Sequence, residues 1–211
     1  MSRTALIAGA SGLVGSRLLD LLLADDTWDA VLSVGRREVD RSDAKLEQRV
    51  VDLLTLSGLP AVDDAFSCLG TTIKIAGSQE AFRAVDHDAV LAVAAAARAA
   101  GATRFLHVTA IGASPDSRVF YNRVKGETER DVAASGIATT VAVRPSMIDG
   151  ARPDAHRPGE SIGLVAMRAA GPLLGRYRPN KATDIARALV REAKSDAVGH
   201  RVLDAGQIGR S

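Results

Sequence analysis

Cysteine is almost absent from this chain of 211 residues: Cys68 stands alone. That excludes an intrachain disulfide and any zinc site built on thiolates. The histidines, His87, His107, His156 and His200, are scattered without ligand spacing, so no metal site is expected. Aromatics are scarce, with one Trp, two Tyr and four Phe, too few for a platform that stacks the bases of single-stranded nucleic acid. The 27 basic and 25 acidic residues leave a net charge of +2. No strong steering field results, and no nucleic-acid partner is expected. The longest apolar run, Ala89 to Ala97, is far shorter than the roughly 20 residues that cross a bilayer. Between Met1-Ser2-Arg3-Thr4 and Gly9 only a short apolar stretch intervenes, less than the hydrophobic region of a signal peptide. A soluble cytoplasmic protein with no membrane partner is the expectation.

What is present is a normal core-forming composition, 46% hydrophobic and 25% charged. The length fits a single domain at roughly 150 residues per domain. Strand and helix patterns alternate. Short apolar runs occur at Thr4–Ala8, Ala30–Val34, Gln48–Val51, Asp64–Leu69, Arg104–Thr109 and Ile137–Val143. Helical periodicity covers Leu13–Leu23, Ser78–Ala100, Phe120–Ser135 and Asp184–Lys194. Gly101 is placed to stop the Ala-rich helix, and Thr183 to cap the last one. This alternation predicts an α/β fold, a doubly wound parallel sheet covered by helices on both faces, with ligands at the carboxyl ends of the strands. The whole chain, 1–211, reads as one such domain, with residues 147–181 forming a small loop-rich cap on the substrate side. Two prolines and two glycines in residues 149–160 mark that segment as irregular.

Between the first strand and the first helix stands Gly9-Ala10-Ser11-Gly12-Leu13-Val14-Gly15. Glycine serves where backbone turns with positive φ or must lie close to a pyrophosphate. The helix that follows offers unpaired N–H groups and its positive dipole end. After the second strand the chain reads Ser33-Val34-Gly35-Arg36-Arg37, without the acid that holds a ribose 2′-hydroxyl in an NAD site. The planar forks of Arg36 and Arg37 suit a 2′-phosphate. NADPH is therefore expected over NADH.

Tyr121 and Lys125 open the helix after the fifth strand, and a spacing of four places them on one helix face. A free phenol titrates near 10, and a neighbouring ammonium favours the phenolate. That pairing makes a tyrosine usable as an acid or base.

With these residues in order, the chain resembles the short-chain dehydrogenase/reductase superfamily in its atypical NAD(P)H-binding branch. It is most similar there to the Tat-interacting-protein oxidoreductases. The matching stretches are Gly9–Gly15, Val34-Gly35-Arg36-Arg37, Cys68-Leu69-Gly70-Thr71-Thr72, Tyr121–Lys125 and Arg144-Pro145. The resemblance implies a Rossmann-type sheet with the dinucleotide on Gly9, Ser11, Gly12, Leu13, Val14 and Gly15. It places Asp52 and Leu53 beside the adenine, and Gly70 and Thr71 along the cofactor. Pro145 and Met147 would lie near the nicotinamide, Lys125 would hold its ribose, and Tyr121 would be the catalytic acid.

The serine that such enzymes carry at the end of the fifth strand is missing. In His107-Val108-Thr109-Ala110-Ile111-Gly112 its position holds Ala110, and Thr109 is the nearest hydroxyl. Successive strand residues point to opposite faces, so Thr109 enters the site only if the strand bends. Cys68 and His107 are read as core residues, and Asp86 as structural. Residues 151–181 carry Arg152, Arg157, Arg168, Arg176, Arg178 and Lys181 against Asp154 and Glu160, a balance that favours an anionic substrate or an acidic partner. Two functions follow. One is an NADPH-dependent oxidoreductase acting on a small carbonyl or alcohol through Tyr121. The other is an NADPH-sensing regulatory protein with little turnover.

Overall fold

Short apolar runs line up side by side in this computed structural model, which describes residues 3–149 and 179–209. The strands are β1 (Thr4–Ala8), β2 (Ala30–Gly35), β3 (Leu46–Val50), β4 (Asp64–Ser67), β5 (Arg104–Val108), β6 (Thr139–Arg144), β7 (Ile148–Asp149), β8 (Asn180–Lys181) and β9 (Gly199–Asp204). The main sheet runs β3-β2-β1-β4-β5-β6-β9 and its neighbours are parallel throughout. Strand order reverses between β1 and β4, the switch point at which ligands of doubly wound sheets bind. β7 and β8 form a separate parallel pair. These short strands are the two ends of the expected cap; its interior, residues 150–178, lies outside the described residues.

The helices are α1 (Leu13–Ala24), α2 (Ile73–Ala76), α3 (Gln79–Arg83), α4 (Ala89–Ala99), α5 (Phe120–Ala133), α6 (Ala182–Ala193) and α7 (Ala205–Ile208). Alternation along each strand sorts the core into two layers. Ala5, Ile7, Phe66, Leu106, Val141 and Val143 face α1 and α6, meeting Leu18, Leu22, Ile185 and Leu189. Leu6, Ala8, Ala65 and Phe105 face the other way, toward Val90, Val93 and Ala97 of α4 and Val132 of α5. Each of the buried Val, Leu, Ile and Phe side chains among these contributes roughly 1.5–3 kcal/mol.

Two helical expectations are corrected. The helix expected over Ser78–Ala100 is broken by a π-helical turn at Ala84–Asp88, which lets the adjacent residues Asp86 and His87 both bond to groups on α5. Thr183 does not cap α6: the helix begins at Ala182 directly out of β8, with Lys181 at the cap position. Gly101 does stop α4, with φ of +97° and its N–H bonded to the Arg98 carbonyl.

At the amino edge of the sheet, Asp64 is fully buried and binds Arg3 at 2.5 Å. It also accepts the Trp28 indole N–H at 2.7 Å, tying β4 to the start of β1 and to the turn before β2. Deeper in the sheet, His107 is 1% exposed on β5. Burial, with smaller contributions from the charges of Lys125 and His200, lowers its pKa from 6.5 to about 3. The ring therefore stays neutral in the folded protein while the unfolded chain binds a proton below 6.5. Stability attributable to His107 is present above that pH and declines as pH falls toward 3. Urea unfolding at pH 7.5 and pH 5 should show wild type losing about 2 kcal/mol more than His107→Leu over that interval. Equal losses in the two proteins would show that His107 is not held neutral by the fold.

Candidate dinucleotide and reaction site

The chain leaves β1 through Gly9 at φ +87°. A Cβ at Gly9 would lie 2.8 Å from the Cys68 carbonyl carbon and oxygen just beyond β4. At Gly15 it would lie 2.0 Å from the Gly9 oxygen, and at Gly12 3.2 Å from that same oxygen. The three glycines thus let the start of α1 sit directly against the end of β1, at the switch point. The turn is closed by the Gly12 N–H donating to the Gly9 carbonyl at 3.0 Å. Gly12, at the cap position, brings no side chain, and the first turn of α1 carries no acid. The leading amides of Leu13 and Val14 are left at a bare positive helix end. Ser11 is exposed at the rim and Val14 is buried beneath it. This cradle, with side-chain volume removed from the places a Cβ would fill, fits the pyrophosphate of a dinucleotide.

Arg36 and Arg37 follow the last residue of β2 and are exposed. Neither forms an ion pair with a described residue, so both guanidinium forks are available at the adjoining edge. Asp52 spends its carboxylate on the Leu54 N–H at 3.0 Å, capping the turn Leu53–Thr55. Leu53 is buried under that turn.

The reaction end is organised by α5 and the π turn. Lys125 is 4% exposed, and its Nζ lies 2.7 Å from Asp86 Oδ1. The other Asp86 oxygen accepts the Thr71 N–H at 2.8 Å. One carboxylate therefore fixes both the lysine and the backbone of Gly70-Thr71. Flanking contacts lock the same two elements together. Arg83 pairs with Glu127, Thr128 Oγ1 donates to the Asp86 carbonyl at 2.9 Å, and His87 bonds Asp131 at 3.0 Å. Tyr121 lies one turn before Lys125, half-buried, its ring 5.3 Å from that of Phe82.

Ala110 and Thr109 follow β5. Ile111 donates to the Pro145 carbonyl at 2.8 Å, joining the ends of β5 and β6. The Thr109 hydroxyl is buried and donates to Glu129 Oε1 at 2.5 Å. Glu129 is gripped in turn by the Arg144 guanidinium at 2.5–3.1 Å, and holds that guanidinium above its usual pKa. Glu129 stands two turns beyond Tyr121, about 12 Å along the helix axis. The structure thus ties the Thr109 hydroxyl to a carboxylate remote from Tyr121. Pro145 is buried, whereas Met147 is 47% exposed at the rim. Burial pushes the Cys68 thiol up to about 12, which denies it a nucleophilic role.

Sequence reasoning missed three positions. Asp86 reads as structural in the sequence, because its partner Lys125 stands on a different helix. Glu129 makes sense only with Arg144, a partner 15 residues away. Gly126 adjoins Lys125, and a Cβ there would lie 2.1 Å from the Ser114 carbonyl carbon. A glycine directly after Lys125 marks the place where the loop after β5 crosses α5. Among the described residues, no group of His, Cys, Asp and Glu could hold a metal ion, and no helix is long and apolar enough to cross a membrane.

Comparison with known proteins agrees with this architecture. Residues 5–129 match the model of the NAD dependent epimerase/dehydratase family. A protein of Eremothecium gossypii named "Protein FMP52, mitochondrial" is 38% identical over 164 residues, 76% of this chain and 73% of that protein. Its counterpart in Emericella nidulans is 31% identical over 98% of this chain and 88% of its own length. Among solved structures, MoeE5 in complex with UDP-glucuronic acid and NAD is similar with a TM-score of 0.75 and 21% identity, covering 96% of this chain and 76% of that one. A short chain dehydrogenase family protein from Francisella tularensis is similar over the full length of both chains, with a TM-score of 0.70 and 17% identity. These relatives carry the FMP52 name and not that of the Tat-interacting-protein oxidoreductases. Their names also say mitochondrial, which overturns the expectation of a cytoplasmic protein. With its family model matched over more than half its length, the chain belongs to the NAD dependent epimerase/dehydratase family.

Proposed function

We propose that the protein is an NADPH-dependent oxidoreductase acting on a small carbonyl or alcohol. One observation carries this reading: a bare helix N-terminus behind Gly9, Gly12 and Gly15 shares the carboxyl edge of the sheet with Tyr121 and a fixed Lys125. When bound, the dinucleotide supplies or accepts the hydride. Tyr121 gives its phenolic proton to the carbonyl oxygen in reduction and takes it back in oxidation. Lys125 holds the nicotinamide ribose, and its ion pair with Asp86 fixes its position. Gly70 and Thr71 line the cofactor from the β4 side, Pro145 and Met147 from the β6 side, and Asp52 and Leu53 lie at the adenine. Arg36 and Arg37 receive the 2′-phosphate. The basic balance of residues 151–181 favours a substrate with an anionic group.

A second reading, an NADPH-sensing protein with little turnover, is favoured by one specific observation. Ala110 has no hydroxyl to polarise a carbonyl, and that of Thr109 is committed to Glu129.

Cofactor choice is tested at Arg36. Loss of a charge-assisted contact costs roughly tenfold or more in affinity. Arg36→Ala should weaken NADPH binding by about that factor and leave NADH nearly unchanged, measured by fluorescence titration. Equal affinity of the wild type for the two cofactors would contradict the assignment.

The vacant hydroxyl is tested at Ala110. A donor aimed at a developing oxyanion is worth about 10²–10³ in rate. Ala110→Ser should therefore raise kcat on a reactive test carbonyl by up to about that factor. Tyr121→Phe should abolish the remaining activity, and neither change should move NADPH affinity appreciably. A fast wild type that is crippled by Thr109→Val would overturn this account of the strand end. Binding without turnover in both wild type and Ala110→Ser would establish the second reading.

A further inference from the structure

Asp86 lies outside every motif that marks the dinucleotide turn or the tyrosine, yet it touches both halves of the site. Its side chain is fully shielded, and that of Lys125 is 5% exposed. The two form an ion pair at 2.7 Å, and the second carboxylate oxygen is held by the Thr71 N–H at 2.8 Å. A Cβ on Gly70 would lie 3.5 Å from Asp86 Oδ1 and 3.7 Å from Lys125 Nζ, so the missing side chain of Gly70 leaves space beside the pair. The carboxylate cannot swing away without abandoning the Thr71 amide, and the π turn that carries it is itself bonded to α5 through Thr128 and His87. The pair is built and rigid.

We propose that Asp86 is a positioning residue that cancels the charge of Lys125 beside the nicotinamide, and so sets the relative affinity for oxidised and reduced dinucleotide. This rests on the proposed reading of Lys125 as the residue at the nicotinamide ribose. The two redox forms differ in one respect that matters electrostatically: the oxidised nicotinamide ring is cationic and the reduced ring is neutral. An uncompensated ammonium beside that ring would repel the oxidised form and leave the reduced form nearly indifferent. The interior magnifies such a difference, since in an effective dielectric near 20 a unit charge about 4 Å away moves an equilibrium by about a thousandfold, and one about 12 Å away still by about tenfold. With Asp86 in place the local charge is close to zero, and the site accepts both forms, as a reversible hydride carrier requires.

The test is calorimetric titration of NADP⁺ and NADPH, with NAD⁺ and NADH in parallel, against wild type, Asp86→Asn and Lys125→Met. Asp86→Asn keeps the shape and the acceptor for the Thr71 amide but removes the charge. It should raise the ratio of the oxidised-form Kd to the reduced-form Kd by about fivefold or more. Lys125→Met strands the carboxylate and should move the ratio the opposite way, while weakening both forms through loss of the ribose contact. This variant carries the test if Asp86→Asn fails to fold. A purely structural role would weaken both redox forms alike in each variant. A wild type that binds the dinucleotides, with ratios unmoved in the folded variants, would therefore overturn the inference and leave the proposed function standing. A wild type that binds neither pair would overturn both.

Discussion

A lysine ammonium is costly to hold in a nearly dry interior unless an opposite charge answers it, and Lys125 is answered by Asp86 at 2.7 Å. Much of the carboxyl edge is arranged around that requirement. The helix leading into α4 widens into a π turn at Ala84–Asp88, bringing Asp86 to the lysine and His87 to Asp131 of α5. The same carboxylate reaches the Thr71 amide, so the loop after β4 is set by the contact that sets α5. Single π turns of this kind inside helices recur at functional sites. Here the turn carries two adjacent side chains that both reach α5.

The two edges of the sheet are specialised differently. At the amino edge, Asp64 gathers Arg3 and the Trp28 indole in a buried cluster that joins chain segments far apart in sequence. At the carboxyl edge the backbone is kept bare instead. Gly9, Gly12 and Gly15 remove side-chain volume where a pyrophosphate would lie, and the start of α1 is left without an acidic residue. The Thr109–Glu129–Arg144 cluster sits between these roles. It pins the ends of β5 and β6 to α5, and the hydroxyl next to Ala110 in sequence is thereby spent on structure.

The first six strands and most of the helices were legible because strands buried on both faces read as short apolar runs, and Gly9–Gly15 announces its turn by composition. β9 was not legible: Gly199-His200-Arg201-Val202-Leu203-Asp204 is largely exposed and carries no apolar run to betray an edge strand. The π turn was invisible because its residues are ordinary helix formers, and its cause lies on α5, about 40 residues away. Of the site, the residues that local backbone chemistry demands could be read directly, as could the Tyr121–Lys125 spacing. Asp86, Glu129 and Gly126 could not, since each owes its place to a partner across the fold. The fate of the Thr109 hydroxyl was likewise a question of which helix faces β5, and pattern along one strand does not answer it.

The most direct measurement of the central claim is a crystal structure of the protein grown with NADPH. The account expects the pyrophosphate on the amides at the start of α1, the 2′-phosphate at Arg36 and Arg37, and the nicotinamide beside Tyr121 with its ribose on Lys125. A dinucleotide seated elsewhere, or one whose nicotinamide lies away from Tyr121, would contradict it.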